Sequence, residues 1–172
     1  MYYQYPLETL ARGRRVESQI EFAQRAQAAI TDSDELLARP RPAGLALFSA
    51  NEQVLEQPVR ILLDIYGDSV ELRPSRARII PGNPAQQPIM AVRVVARVEH
   101  TGAIIAELRQ RGTRIQEECV RGRTVILRAE APLALLLGLA DALHAVTDGA
   151  ATHSIRLVRY APVPSRSGPQ AA

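Results

Sequence analysis

Between residues 90 and 160 the spacing of apolar residues switches repeatedly between two periods, and the order of those switches admits few folds. Met90, Val92, Val94, Ala96 and Val98 alternate with Arg93, Val95 and Arg97, the period of a strand. Thr101 then offers an N-cap to a helix that runs to Arg111, buries Ile104, Ile105 and Leu108, and ends at Gly112. Arg114–Val120 and Thr124–Ala129 read as strands around a turn at Arg121-Gly122-Arg123. Pro132 opens a helix expected to continue to Thr147, with Gly149 as its stop. Ser154–Tyr160 closes the series as a strand. The order βαββαβ predicts an α+β fold: a four-stranded antiparallel sheet with both helices on one face, the ferredoxin-like plait.

The first half is less regular. Leu7–Ile30 reads as one helix, with Val16, Ile20, Ala23 and Ile30 on one face. Asp32 followed by Glu35 has the form of an N-cap, so a short helix through Ala38 is expected. Gly44–Ser49, Val59–Tyr66, Ser69–Arg73 and Ala77–Ile80 read as strands, with Gly67-Asp68 as a hairpin turn. The organisation expected is an N-terminal helix with a small antiparallel sheet over residues 1–80. A Pro-rich linker follows over 81–88, then the plait over 89–160, then an unstructured tail over 161–172.

Composition narrows the function classes. In 172 residues, 47% apolar and 23% charged, no apolar run approaches the 20 or so residues of a membrane helix. No secretory signal is visible at the N-terminus, and the single Cys119 cannot form an internal disulfide, so the cytoplasm is the expected compartment. All 21 basic residues are arginine, a usage that suits phosphate contact and that a GC-rich coding sequence also produces. Residues 1–86 carry a net charge of −1 and residues 87–172 of +4, so a polyanion contact is expected in the second half. His100, His144 and His153 lack ligand spacing, Glu117 and Glu118 lie beside Cys119, and no G-x-x-x-x-G-K-S/T loop is possible without lysine. No enzyme, cofactor or metal is expected.

Four segments of the second half carry a family resemblance. Gln87-Pro88-Ile89-Met90 resembles the "EPIM" that opens the C-terminal domain of elongation factor G, and Ile104-Ile105-Ala106-Glu107-Leu108 resembles its "VIGDL" helix. Ala131-Pro132-Leu133-Ala134-Leu135-Leu136-Leu137-Gly138 is similar to "VPLAEMFGY", and Ala142-Leu143-His144-Ala145-Val146-Thr147-Asp148-Gly149 to "DLRSMTQG". Order and spacing hold from Gln87 to Tyr160. The sequence departs in two loops: the family's "RRG" is Arg109-Gln110-Arg111-Gly112 here, and Ala150-Ala151 replaces its "RG" after Gly149. The resemblance implies the same plait and a non-catalytic translation-associated binding module. Such a module docks on the factor-binding region of the large ribosomal subunit or on a translation protein, and DNA is not an expected partner. Arg109, Arg111 and Arg114 at one corner, with Arg121 and Arg123 on the hairpin, are the candidate RNA contacts. The alternative is a self-associating structural or regulatory plait, such as a homodimer, with no ribosome role. It draws on a second apolar stripe, Leu135, Leu139, Ala142 and Val146, and on Val95 and Ile126 of the open sheet face.

Overall fold

The computed structural model describes residues 3–164. The second half follows the expected order. β6 (Gln86–Arg97), α3 (Thr101–Gln110), β7 (Arg114–Arg121) and β8 (Thr124–Pro132) come first, then α4 (Leu133–Leu136), α5 (Leu139–Thr147) and β9 (Thr152–Pro162). The antiparallel sheet runs β7-β8-β6-β9. Met90, Val92, Val94 and Ala96 are buried with Val125, Leu127, Ala129 and Ala131 of β8 on one face. Ile104 and Leu108 of α3, with Leu133, Leu136, Leu139 and Leu143, cover that face.

Two details depart from expectation. The first strand ends at Arg97, a 3₁₀ turn covers Val98–His100, and His100 rather than Thr101 sits at the N-cap of α3. The predicted single helix from Pro132 to Thr147 is two helices joined by an elbow. Leu137 leaves the helical region and Gly138 adopts φ +74°, which glycine tolerates without a Cβ penalty. The elbow resets the helical phase, so Leu133, Leu136, Leu139 and Leu143 all reach the core.

The first half holds the larger corrections. Leu7–Ile30 is not one helix: β1 (Leu7–Gly13) comes first, and α1 (Gln19–Gln27) starts at the Ser18 N-cap. The Gln19 amide clamps the bend, accepting from Gly13 N at 3.0 Å and donating to Gly13 O at 2.7 Å. The predicted helix through Ala38 is strand β2 (Leu36–Arg41). Asp32 caps no helix. Its carboxylate accepts from Ala38 N at 2.9 Å and from Arg39 at 2.6 Å, fixing the start of the strand. β3 (Gly44–Ser49) is as expected and is buried on both faces.

Val59–Tyr66, expected as a strand, is the end of helix α2 (Glu52–Tyr66). Asn51 caps it by accepting from Val54 N, and the helix runs through Pro58, which lacks an N–H but faces the core. Gly67-Asp68 is therefore no hairpin. A 3₁₀ turn there joins α2 to β4 (Val70–Leu72), and β5 (Arg76–Ala77) adds a short pairing to β1.

The first sheet runs β2-β3-β1-β4. Strand for strand, this is the order of the second. Each half is thus a strand–helix–strand–strand–helix–strand plait, and the chain is a tandem pair of them. Residues 81–85 are short: a bridge between Ile80 and Gln86 brackets them, Asn83–Pro84 is cis, and β6 begins at once. Of the expected tail, Ala161 and Pro162 belong to β9, while residues 165–172 lie outside the described residues.

The two plaits share one hydrophobic cluster, and the start of α2 bonds directly to the second plait. Asn51 Nδ2 donates to Ile155 O at 3.2 Å, and Glu52 Oε2 accepts from Gly138 N at 3.0 Å. Tyr160 OH donates to Tyr3 O at 2.9 Å. His153 lies at this seam. Burial lowers its pKa below the ordinary value of 6.5, and the nearby Glu52 and Glu56 only partly oppose that. Between the lowered value and 6.5 the unfolded chain binds more protons than the folded one. Stability is therefore expected to fall as pH drops below about 6.5 through the folded pKa. Thermal melting at pH 7 and pH 5 checks this: His153→Gln should lose less between the two than the parent. Equal losses would remove His153 from the explanation.

Candidate nucleic-acid interface

The five candidate arginines do not form one cluster. β7 is eight residues long, so Arg114 and Arg121 at its ends are separated by about 23 Å. Arg109, on the last turn of α3, and Arg114 mark one end, and both are exposed. Arg121 and Arg123 flank Gly122 at the other end, where the φ of +60° closes the hairpin. The Arg123 carbonyl accepts from Val98 N, which ties that hairpin to the exposed Arg97 and to the turn after β6. Arg121 and Arg123 are exposed as well, so all four of these guanidinium groups face water.

Arg111 differs. Its Nε donates to Glu107 Oε1 at 2.6 Å, and both side chains are only about one-fifth exposed. Its Nη1 donates to Leu137 O at 2.7 Å and Leu135 O at 3.3 Å, and its Nη2 to Gly138 O at 3.4 Å. The Leu135 and Leu137 carbonyls lie at the break between α4 and α5, and Gly138 O also accepts the first bond of α5, from Ala142 N. Arg111 holds that elbow from one side, while Glu52 of the first plait holds Gly138 N from the other. Its guanidinium is committed to the fold and has little left for a phosphate.

The second apolar stripe is not a surface. Leu139 is fully buried, Val146 packs against the core, and Ala142 is half-buried, while Leu135 stands out at 43% exposure. The elbow explains the difference, since a stripe drawn on a continuous helix is split by the change of phase. Val95 and Ile126 lie, as expected, side by side on the open face of the sheet and are half-buried. The first plait does not cover that face. Its bonds reach Ile155, on the core-facing side, the elbow, and Tyr160 at the end of β9. Sequence reasoning missed Glu52 as the residue that couples the plaits, because its target is a backbone N–H in a break that the sequence pattern conceals.

Among the described residues no group of three or more His, Cys, Asp or Glu side chains is placed to hold a metal ion. Among the same residues no helix is long and apolar enough to cross a membrane.

Residues 86–170 match the family described as elongation factor G C-terminus. The second plait is similar to the elongation factor G C-terminal domain. Across 92% of the chain, and so across both plaits, the fold is similar to the crystal structure of ttk003000868 from Thermus thermophilus, with a TM-score of 0.65. Identity is 14%, so this likeness speaks for the fold. The chain spans 41% of that structure's length. A plait similar to the elongation factor G C-terminal domain, and so related to a translation factor's, thus stands here behind a first plait of the same topology.

Proposed function

We propose that this chain is a non-catalytic, cytoplasmic, translation-associated module that docks on the factor-binding region of the ribosome. One observation carries the reading. A plait similar to the elongation factor G C-terminal domain presents exposed arginines at both ends of its edge strand: Arg109 with Arg114, and Arg121 with Arg123. Guanidinium groups held by a rigid sheet and left in water suit phosphate oxygens. Arg111 has no part in this contact.

Co-sedimentation with ribosomes at about 50 and 200 mM salt tests it, because phosphate contacts weaken steeply over that range. The chain should pellet at the lower salt and be largely lost at the higher. Arg109→Ala/Arg114→Ala and Arg121→Ala/Arg123→Ala should each weaken pelleting and flatten the salt dependence by about one unit of slope per phosphate contact removed. No pelleting at either salt would overturn the proposal.

A further inference from the structure

The open face of the second sheet carries a second, differently built cationic feature. A depression of about 500 Å³ crosses β7, β8, β6 and β9. Its size lies within the range of small-ligand sites. Ala91 and Val158 form its apolar floor, and Arg93, Arg128 and Arg156 stand around it with Gln116, Ser154 and the carboxylate of Glu130.

The strand register shows what is unusual. Arg93 lies directly opposite Arg128 on the two central strands. On the other side Arg93 pairs with Ser154, and Arg156 pairs with Ala91, so Arg156 is the diagonal neighbour of Arg93. Like charges directly opposite in a sheet are destabilising, and adjacent strands are only about 4.8 Å apart.

The acids nearby do not neutralise the group. Glu117 reaches Arg128 at 3.4 Å, with both side chains more than half exposed. Glu130 lines the depression, but Arg159 donates to it at 2.9 Å, and the hydrogen bonds from Arg159 and then Gln116 hold its carboxyl below the usual range. Three arginines and one carboxylate, Glu130, share this concave surface, which keeps an excess of positive charge on a face the rest of the fold leaves open. No aromatic ring lines the depression, so a base would find no stacking partner there, and the chemistry on offer is for phosphate.

We propose that this depression is a phosphate-binding site, with Arg93, Arg128 and Arg156 as its cationic ligands and Ser154 as a neutral donor. Its ligand carries two or three phosphates, either as successive phosphodiesters of an RNA strand or as a compact polyphosphate. The site is separate from the arginines at the ends of β7 and does not depend on ribosome docking.

The test uses the full chain and a labelled ten-nucleotide oligouridylate, followed by fluorescence anisotropy at about 50 and 200 mM salt. Arg93→Gln/Arg128→Gln/Arg156→Gln should weaken binding at least tenfold at the lower salt. It should also remove about two units from the salt slope, at about 0.7 per phosphate contact on a single strand. Its thermal midpoint should equal or exceed that of the parent, because the Arg93–Arg128 repulsion is gone. A structural role for these arginines would lower the midpoint instead.

A second variant, Arg25→Gln/Arg60→Gln/Arg76→Gln, removes the same charge from the first plait and should keep binding within about twofold of the parent. Inorganic tripolyphosphate as competitor separates the two sources. Displacement at concentrations near that of the RNA assigns the site to compact polyphosphates. Displacement only at far higher concentrations assigns it to an RNA backbone. The proposal fails if the oligonucleotide does not bind, if the triple variant binds like the parent, or if the first-plait variant loses as much. It also fails if oligoglutamate of matched charge competes as well as tripolyphosphate, which would make the face a docking surface for an acidic protein.

Discussion

Arg111→Ala should lower the free energy of unfolding by about 3 kcal/mol, the cost of breaking a half-buried charge pair and orphaning hydrogen-bond acceptors. The residue joins α3 to both sides of the α4–α5 elbow. It pairs with Glu107 one turn back on α3 and donates to the carbonyls of Leu135, Leu137 and Gly138 across the α4–α5 elbow. The Leu135 and Leu137 carbonyls lie where the helix breaks, whereas Gly138 O also accepts from Ala142 N at 3.3 Å. Without the guanidinium, Glu107 keeps a carboxylate that is about one-fifth exposed and has lost its counter-charge. Arg111→Lys should recover less than half of the loss, since an ammonium lacks the planar fork that serves Glu107 and the elbow together. Urea unfolding reads both values. A loss below about 1 kcal/mol for the alanine variant would mean that the elbow holds without Arg111. Because Glu52 bonds Gly138 N at the same elbow, Glu52→Ala combined with Arg111→Ala should deviate from additivity, as neighbours sharing one structural element do.

Gly44→Ala should be at least as damaging, about 3 kcal/mol or more, for a different reason. Gly44 opens β3 with φ +137°, a conformation that residues with a Cβ rarely adopt. A Cβ built there would lie 2.4 Å from the Ala11 carbonyl oxygen. That oxygen cannot yield cheaply, because Ala11 pairs with Leu45 on one side and with Leu72 on the other, in the middle of the first sheet. Gly122→Ala is the contrasting case. Its φ is +60°, but nothing lies within 4 Å of a Cβ, so only the backbone penalty of about 1–2 kcal/mol applies. Thermal melting of the two variants should therefore separate them clearly. Equal shifts would show that the conformational term dominates and the contact with Ala11 is relieved.

The second plait was legible in the sequence because each of its elements states its own period. Met90–Ala96 alternates strictly, α3 carries Ile104, Ile105 and Leu108 on one stripe, and Gly112 and Gly122 punctuate the turns. The same alternation named the open face, so Arg93, Val95 and Arg97 were placed from sequence alone. The first plait was not legible, because its segments satisfy two patterns at once. Leu7, Leu10 and Ala11 fit a helical stripe, yet Leu7, Thr9 and Ala11 alternate with Glu8, Leu10 and Arg12, and pairing with β3 selects the strand. Asp32 and Glu35 have the form of a helix cap, while Asp32 in fact fixes β2. Val59–Tyr66 read as a strand, but it continues α2, which tolerates the missing N–H of Pro58.

The candidate site divides the same way. Sequence determined which arginines lie near each end of β7, because strand length and turn position set that. Only the tertiary structure separated Arg109, which faces water, from Arg111, which the fold consumes two residues later. That distinction depends on where the helix breaks and whose carbonyls it frees. The Arg93–Arg128 juxtaposition is also tertiary. Alternation says which face a side chain takes, but the neighbour it meets there depends on inter-strand register, which no single strand encodes.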